Sequence, residues 1–389
     1  MTMECALLSG EAETLALARI LGWAFGIDSA DTRGWLEHAG LENVRVARKN
    51  DQILGGLAEI PMGQWFGGRS VPMLGLAGVG VAPEARGERV ALTLVLASLR
   101  AARERGFALS ALYPATLTLY RAAGYELAGG RHRYVAELDA LPTARGALSV
   151  EPLAASDTEG VAGLYQRIAA ERAGYLDRGP YVWRRVRQTR KGDLNPAFGV
   201  HGAGGLEGYV YLSARSADEQ RELVVHDLVV ASPAAAARVL AFLADHRSTI
   251  KRVVLHAGFP DPLLLAVPER VFRMTVSETW MLRVLDPRAA LEARGYPALD
   301  TAIDFELTDA SLPENSGRFR LEVSGGRAQV TAGGTGAVVL DERALAALYS
   351  GFAPPALLAR TSSLRAEAAA LGRLALLFAG PAPAMLDFF

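Results

Sequence analysis

One pattern occurs twice in this chain and limits its fold more than any other feature of the sequence. An apolar, strand-like run ends at a proline, and an amphipathic helical segment begins directly after it, first at Pro83 and again at Pro233. The first helical segment places Leu92, Val95 and Leu99 on one face, which is the spacing of a stripe packed against a core. Because strand, proline and helix recur 150 positions later, the sequence predicts a tandem duplication.

The segments before each proline also follow one order. In the first copy, helical spacing over Leu15–Phe25 precedes strand-like runs, the last of which extends over Val71–Val81. In the second copy, a helix predicted at Thr158–Arg172 precedes strands at Ala197–His201 and Leu206–Leu212. We therefore predict an α+β (mixed α/β) protein whose first two domains share one architecture.

The pattern changes again in the last quarter of the chain. Segments 302–307, 318–323 and 327–331 alternate like strands of an antiparallel meander. Glu342–Tyr349 and Ser363–Phe378 have the spacing of helices. These elements predict a third unit of α+β type.

The domain boundaries follow from these changes of pattern. A length of 389 residues agrees with two or three cores, at one domain per roughly 150 residues. Leu141–Gly146 has the composition of a linker. We place the three domains at 1–143, 147–284 and 285–389.

Composition narrows the class of protein. Half of the residues are hydrophobic and 21% are charged, which is typical of a globular chain. No apolar run reaches the roughly 18–20 residues that a membrane helix needs, and the N-terminus lacks a signal-peptide pattern, so we expect no membrane partner and a cytoplasmic location. The single cysteine, Cys5, excludes an internal disulfide, and the histidines show no metal-ligand spacing, so no metal is predicted.

Charge is nearly balanced along the chain. The formal net charge is −1, and no long cluster of Lys and Arg is interleaved with aromatic residues. The sequence therefore argues against nucleic acid as a partner. The basic segment Arg184–Lys191 lies beside Trp183, but a solvated helix end accounts for it more simply.

The turn that follows the predicted strand Val71–Val81 is a candidate for binding phosphate. A strand that leads through a short loop into a helix leaves free backbone N–H groups at the helix N-terminus, where the helix dipole is positive. These properties suit a pyrophosphate. An ordinary connection between strand and helix explains the same residues, and spacing alone leaves both interpretations open.

Two motifs in this region resemble those of the GNAT acetyltransferases. Val79–Ala91 resembles their acetyl-CoA signature, in which a V-x-V-x-P strand end precedes an (R/Q)-x-x-G-x-(G/A) loop. Leu119–Tyr125 is similar to their Y-x-x-x-G-(F/Y) segment, and the two motifs stand in the family's order. The resemblance implies an N-acetyltransferase that uses acetyl-CoA as co-substrate, with a GNAT fold in each of the first two domains.

Further segments narrow the resemblance to one branch of that family. Trp280–Asp286, Leu312–Leu321 and the short tail that ends in phenylalanine resemble the Eis (enhanced intracellular survival) proteins. Members of this family carry two GNAT domains and a sterol-carrier-like C-terminal domain. The resemblance implies acetylation of amines, including those of aminoglycosides, and a homo-oligomer that is a hexamer.

The resemblance also implies roles for individual residues. It assigns the general acid to Tyr120 and the general base to the free α-carboxylate of Phe389. A looser similarity to the family places four residues of the N-terminal helices on the side of the pocket that faces the amine: Trp23, Phe25, Asp28 and Trp35. Contacts with acetyl-CoA fall on Val79, Gly80, Val81, Arg86, Gly87, Glu88, Arg89, Val90, Ala91, Leu92, Ala115 and Thr116.

These roles agree with the chemistry of acetyl transfer. An amine must be neutral to attack a thioester, so a base or a proton-accepting water chain is required. A terminal carboxylate has an unperturbed pKa of about 3.3–3.7 and is ionised at neutral pH, whereas a phenol with a pKa of about 10 is protonated and can supply a proton to the departing thiolate. Tyr113 or Tyr125 could replace Tyr120 in this role, and Phe389 could simply pin the tail.

One position departs from the family pattern. Arg89 stands where the family normally has glycine, and Glu88 occupies a position that is often basic. Glycine lets the backbone come close to phosphate oxygens, whereas an arginine side chain either blocks that approach or replaces it with a charged contact.

The second copy lacks the Arg-x-x-Gly loop after Pro233, so we expect it to be structural. Two alternatives to small-amine acetylation stay open. The chain could bind an acyl-CoA or a lipid without turnover, because its coenzyme loop departs from the pattern. It could also acetylate protein lysine, which differs from the first hypothesis only in the substrate.

Overall fold

The computed structural model describes residues 3–189, 192–217 and 220–389. Arg190 and Lys191, at the end of the basic segment, lie outside the described residues. The chain divides into two compact units. The first contains the chain up to Gly129, Trp280–Pro381 and Phe388–Phe389, and the second contains Gly130–Thr279 and Ala382–Asp387.

The first repeat contains four helices and six strands. They are β1 (Glu4–Leu7), α1 (Gly10–Phe25), α2 (Ser29–Ala39), β2 (Val44–Lys49), β3 (Gln52–Phe66), β4 (Arg69–Val81), α3 (Val90–Glu104), β5 (Leu109–Leu112), α4 (Leu117–Ala122) and β6 (Glu126–Glu137). The amphipathic segment after Pro83 therefore forms α3, as the spacing predicts.

The second repeat has the same order of elements around its own proline. They are β7 (Ser149–Pro152), α5 (Thr158–Ala170), β8 (Leu176–Asp177), α6 (Pro180–Arg187), β9 (Ala197–Gly202), β10 (Gly205–Ala217), β11 (Gln220–Val230), α7 (Pro233–Ala244), β12 (Arg252–Ala257), α8 (Pro262–Leu265) and β13 (Arg273–Val284). Strand β11 leads through Pro233 into α7, just as β4 leads through Pro83 into α3.

The remaining elements form the third part of the chain. They are α9 (Pro287–Ala293), β14 (Thr301–Thr308), β15 (Gly317–Ser324), β16 (Arg327–Ala332), β17 (Val338–Asp341), α10 (Glu342–Ser350), α11 (Pro355–Arg360), β18 (Leu364–Ala366) and α12 (Ala368–Leu377). Their strands make a five-stranded sheet in the order β16-β15-β14-β17-β18.

The first unit is built on a sheet in which β1, β2, β3 and β4 pair antiparallel in that order. Strand β5 runs parallel to β4, and Leu109–Leu112 pairs on its other side with Met281–Val284. Leu94, Val95 and Leu99 of α3 are fully buried in the core over this sheet. Burial of this helical stripe explains why the segment is a stable helix.

In the second unit, β9, β10 and β11 pair antiparallel, and β7 pairs with β9. Strand β11 pairs parallel with β12 over Glu222–Val224 and Arg252–Val254. Helix α7 buries Val239, Leu240 and Leu243 in the core of this unit. None of the described helices combines the length and the apolar character that crossing a membrane requires.

The predicted helix over Ser363–Phe378 is wrong in its first turn. Leu364–Ala366 forms β18, which pairs antiparallel with β17, and α12 begins only at Ala368. The backbone of this segment finds its hydrogen-bond partners in the sheet, and Leu364 is fully buried there. Tertiary pairing therefore outweighs the helical spacing of the sequence.

Candidate active site

Strands β4 and β5 diverge in the middle of the first unit. They pair only where Met73–Gly75 faces Leu109–Ala111. Strand β4 then continues to Val81, whereas β5 ends at Leu112. On the β5 side, the backbone of β4 beyond Gly75 therefore has no strand partner among the described residues, and its N–H and C=O groups are available to an extended ligand.

A bulge gives this free edge its shape. The register of β3 and β4 shifts between Gly56 and Ala58, opposite the segment that contains Gly78. Gly78 has a φ of 61°, and a Cβ atom built on it would lie 2.4 Å from the ring of Trp35. Only glycine fits here. The indole of Trp35, predicted to face the amine, thus packs directly on the bulged strand.

The loop between β4 and α3 provides the second part of the site. Gly87 and Arg89 have positive φ angles of 88° and 60°. Arg89 is the residue before α3, and no side chain caps that helix, so its first N–H groups keep their hydrogen-bonding capacity. Glu88 lies 3.2 Å from the ammonium of Lys49 in an exposed ion pair. The loop can thus present backbone N–H groups and the Arg89 guanidinium to phosphate oxygens.

Tyr120 lies on α4 and is 6% exposed. Burial raises the pKa of its phenol to about 12. Its ring meets that of Tyr125 edge to face, with centroids 5.9 Å apart. In the part of the chain that the structure describes, no hydrogen bond engages the Tyr120 hydroxyl. A buried phenol of this kind stays protonated and can donate its proton to a ligand.

Tyr125 is held differently. Its hydroxyl and that of Ser110 are 2.7 Å apart, and the Ser110 hydroxyl donates to the carbonyl of Leu74, also at 2.7 Å. Leu74 and Ser110 face each other in the last stretch where β4 and β5 pair. Tyr125 is therefore committed to the sheet, whereas Tyr120 is free to act, which favours Tyr120 over Tyr125 as a proton donor.

The terminal residues reach the same place in the first unit. The ring of Phe389 is so close to Gly75 that a Cβ atom there would lie 2.6 Å from it. Phe388 stacks on Tyr113 at 4.9 Å, and Phe389 is 6.3 Å from the same ring. Phe389 is 7% exposed. The tail is thus docked, as its two aromatic residues predict, at the point where β4 and β5 separate.

The other predicted residues have various environments. Ala115 and Thr116 are exposed between β5 and α4. Trp23 and Phe25 are 73% and 48% exposed near the end of α1. The carboxylate of Asp28 accepts a hydrogen bond from the Ala30 N–H and caps α2, which gives it a structural task.

The sequence does not predict two groups of charged contacts around α4, although Arg283 and Arg121 lie in the segments Trp280–Asp286 and Leu119–Tyr125. The first is centred on Arg283, whose side chain is 1% exposed and donates to Asp309 at 2.6 and 2.7 Å and to Ser311 at 2.9 Å. Ser311 in turn donates to the carbonyl of Ala123 at 3.3 Å. A Cβ atom on Gly124 would lie 2.8 Å from Nε of Arg283. This pair packs against the end of α4.

The second group is centred on Glu126. It accepts from Nη2 of Arg121 on α4 at 2.7 Å and from Nε of Arg343 on α10 at 2.9 Å. Burial raises the pKa of Glu126, but the hydrogen bonds from Arg121, the Leu127 N–H and Arg343 outweigh it, and the net direction is downward. The motif that contains Arg121 does not reveal this group, because Arg343 is distant in sequence from Glu126.

Comparison with known proteins agrees with this geometry. Residues 8–128 and residues 174–284 each match an acetyltransferase (GNAT) domain, and residues 287–386 match a sterol carrier protein domain. The fold and the diverging strands thus define an acyltransferase with two GNAT domains and a sterol-carrier-like third domain. This confirms the predicted fold class.

Two crystal structures are similar over the whole chain, and one sequence relative is similar over 73% of it. A crystal structure of a GCN5-related N-acetyltransferase from Anabaena variabilis has a TM-score of 0.95 and 35% identity, with 100% of both chains covered. The crystal structure of Eis1 from Mycobacterium abscessus has a TM-score of 0.81 and 25% identity, again with 100% of both chains covered. An uncharacterized N-acetyltransferase of Streptomyces avermitilis is 29% identical over 307 residues, 73% of each chain.

The chain belongs to the GCN5-related N-acetyltransferases, and it is an acetyltransferase enzyme. The likeness to Eis1 confirms the resemblance to the Eis proteins.

Proposed function

We propose that the first domain transfers the acetyl group of acetyl-CoA directly to a primary amine, where β4 and β5 diverge. The observation that carries this proposal is the convergence of three features in the first unit. The free edge of β4 and the docked Phe389 adjoin the last paired residues of these two strands, and the uncommitted phenol of Tyr120 packs on Tyr125, which is bonded to Ser110 of that pair.

Acetyl-CoA is the co-substrate, and each part of it has a matching surface. The pantetheine amides pair with the backbone of Val79, Gly80 and Val81, as an added strand would. The pyrophosphate lies over the loop and first turn at Arg86–Leu92, where N–H groups and a helix N-terminus converge. Ala115 and Thr116, exposed after β5, contact the coenzyme from the other side of the divergence.

The proton inventory of the reaction is simple. The acceptor amine loses its proton to the α-carboxylate of Phe389, directly or through water, and the neutral nitrogen attacks the thioester carbonyl. As the carbon–sulfur bond breaks, the phenol of Tyr120 gives its proton to the CoA thiolate, and the second proton that the nitrogen loses on forming the amide returns through water to the Tyr120 phenolate. Because burial raises the pKa of Tyr120 to about 12, the phenol is protonated throughout the neutral range.

The second GNAT domain has a structural task in this proposal. After Pro233 it lacks the Arg-x-x-Gly loop, and its helix α7 begins differently from α3. The hydroxyl of Ser232 accepts from the Ala235 N–H at 3.1 Å, so a side chain already caps this helix. A capped N-terminus offers fewer free N–H groups to a phosphate.

The acceptor and the assembly rest on the family resemblance. We propose a small polyamine or an aminoglycoside-like amine as the acceptor, with Trp23, Phe25 and Trp35 on its side of the cleft, and protein lysine as the other acceptor of the same chemistry. We also propose that the protein is a hexamer in the cytoplasm. Its three domains extend over 1–143, 147–284 and 285–389, and its reaction uses no metal.

The test is a thiol-release assay on untagged full-length protein with acetyl-CoA, a panel of aminoglycosides and polyamines, and a lysine peptide. We expect release of CoA thiol that depends on one class of amine. Calorimetry with CoA is the companion measurement. Thermal stabilisation by CoA without thiol release for any amine would instead favour binding without turnover.

A further inference from the structure

The second unit has an open cavity of about 550 Å³ beside α5 and α6 that the proposed reaction does not use. This volume lies in the range of small-molecule sites, roughly 300–1,000 Å³. Its wall combines three guanidinium groups, one indole and one leucine, and includes Thr158, Arg178, Trp183, Arg184, Arg187 and Leu194. The cavity includes the start of the basic segment that the sequence analysis attributed to a solvated helix end.

The indole of Trp183 is fixed within this wall. The guanidinium carbons of Arg178 and Arg187 both lie 4.8 Å from the centre of the Trp183 ring system. Tyr165 meets it edge to face at 5.4 Å. Two cation–π contacts and a ring contact hold the indole in one orientation. Together with Leu194, which is 59% exposed, it contributes apolar surface to the cavity wall.

Arg178 does not supply free positive charge to the cavity. Its side chain is 1% exposed, donates to both carboxylate oxygens of Asp227 at 2.6 and 2.9 Å, and donates to Asp387 at 2.9 Å. The charge of Arg178 is therefore neutralised inside the protein, and its fixed guanidinium packs against the ring of Trp183.

Arg184 and Arg187 differ from Arg178 because their partners are neutral. Arg184 donates to the amide oxygen of Gln188 at 3.1 Å. Arg187 donates to the carbonyl of Thr158 at 3.4 Å and to the hydroxyl of Tyr211, and its buried Nε has no partner among the described residues. Within those residues, neither side chain forms an ion pair, and no carboxylate lines the cavity.

We propose that this cavity binds a small organic anion, with a flat apolar body against Trp183 and Leu194 and a carboxylate or phosphate group against Arg184 and Arg187. Guanidinium groups match these anions geometrically and are less strongly hydrated than an ammonium. An indole held in one orientation contacts a flat body with little loss of side-chain freedom. The ligand is thus opposite in charge to the amine acceptor of the acetyl transfer.

Calorimetry with matched probes tests the proposal on the full-length protein. The probes are 2-naphthoate, 2-naphthylmethylammonium of nearly the same shape, and inorganic phosphate, each measured with and without saturating CoA. We expect naphthoate to bind, with affinity that falls as salt rises, and the ammonium probe not to bind. Phosphate should bind more weakly than naphthoate, and CoA should leave naphthoate binding unchanged.

Two substitutions locate the site. Arg184→Gln and Arg187→Gln should each raise the Kd of naphthoate about tenfold, because each removes one charged hydrogen-bond donor. Arg184 is exposed, so its substitution does not endanger folding. Arg273→Gln is the matched control, because Arg273 is also an exposed arginine of the second unit, with 76% of its side chain accessible. The Kd of naphthoate for Arg273→Gln should equal that for the wild type.

The proposal is overturned if both naphthalene probes bind equally, if neither binds, or if Arg184→Gln and Arg187→Gln bind naphthoate like the wild type. Displacement of naphthoate by CoA would also contradict the proposal that the cavity is separate from the CoA site. Thiol release from acetyl-CoA is measured on the same preparations, so a failure of this site is distinguishable from a failure of the acetyltransferase proposal.

Discussion

At the scale of single residues, burial and backbone angle give particular side chains their chemistry. Tyr120 and Tyr125 are neighbouring phenols in one core, yet only Tyr125 is tied to Ser110. The motif predicts Tyr120 as the acid, but it cannot tell which of the two hydroxyls already has a partner, because that depends on the contact between Tyr125 and Ser110.

Replacing Tyr120 by phenylalanine removes the proposed proton donor and keeps the ring contact with Tyr125. We expect kcat to fall at least about a hundredfold, which is typical of losing a general acid, with little change in the Kd of CoA. Steady-state thiol release and calorimetry measure the two quantities. The wild-type rate should not fall through ionisation of Tyr120 up to pH 9.5, because the pKa of this phenol is raised to about 12.

Tyr296→Phe is the matched control. The Tyr296 hydroxyl is buried and donates to the carbonyl of Leu291 at 2.8 Å, far along the chain from the site. Its loss should cost about 1 kcal/mol of unfolding free energy without changing kcat. Equal rates for Tyr120→Phe and the wild type would remove Tyr120 from the mechanism.

Arg89 combines a charge with a strained backbone. A non-glycine residue at a φ of 60° costs roughly 1–2 kcal/mol relative to glycine. Arg89→Gly should therefore stabilise the fold by up to about 1 kcal/mol, yet weaken CoA binding about tenfold by removing a phosphate contact. Arg89→Gln keeps the strain and should weaken CoA equally without stabilising. Tighter CoA binding by Arg89→Gly would show that the side chain blocks the phosphate.

At the scale of elements, sequence spacing predicts the strand, proline and helix of each repeat because burial of one face decides those elements. It does not predict the divergence of β4 and β5, since strand pairing is decided by partners far away in the chain. For the same reason the strand at Leu364–Ala366 and the groups around Arg283 and Glu126 were missed. The sequence thus names the motif residues of the proposed site, but not the contacts that hold them.

Glu126 links α4 to α10 through Arg121 and Arg343, and the effect of this link on Tyr120 can be measured. Arg343→Met releases Glu126 from α10, so the helix that carries Tyr120 loses one of its supports, and we expect kcat to fall about fivefold with an unchanged Kd of CoA. In the Tyr120→Phe background the same substitution should have no further effect on kcat, because coupled residues are not additive.

Arg320→Met serves as the control for the comparison of Arg343→Met in the wild-type and Tyr120→Phe backgrounds. Arg320 has a similar side-chain exposure, 45% against 40% for Arg343, and it pairs with Asp304 in the C-terminal sheet. It should leave kcat unchanged in both backgrounds. An equal loss from Arg343→Met with and without the Tyr120 hydroxyl would mean that Arg343 acts on the fold and not on Tyr120.

At the scale of the whole molecule, the last residues take part in both units. Asp387 is held by Arg178 in the second unit, and Phe388 and Phe389 pack in the first. Two terminal phenylalanines predict docking, but the sequence gives no sign of where the tail docks, because neither Arg178 nor Gly75 belongs to a motif that involves the tail.

A short Gly-Ser extension after Phe389 moves the free carboxylate away from its place. We expect kcat to fall at least about a hundredfold, while the free energy of unfolding changes by no more than about 0.5 kcal/mol. Thiol-release kinetics and denaturant unfolding check both parts. The same extension at the N-terminus is the control, and wild-type rates from the C-terminally extended protein would exclude the carboxylate as the base.

The free edge of β4 has a consequence for evolution. Every amino acid except proline carries the same main-chain donor and acceptor, so most side chains along this edge can be exchanged without removing the groups that we propose pair with the coenzyme. The exceptions are positions where a side chain would obstruct, such as Gly75 beside the Phe389 ring and Gly78 beside the Trp35 ring.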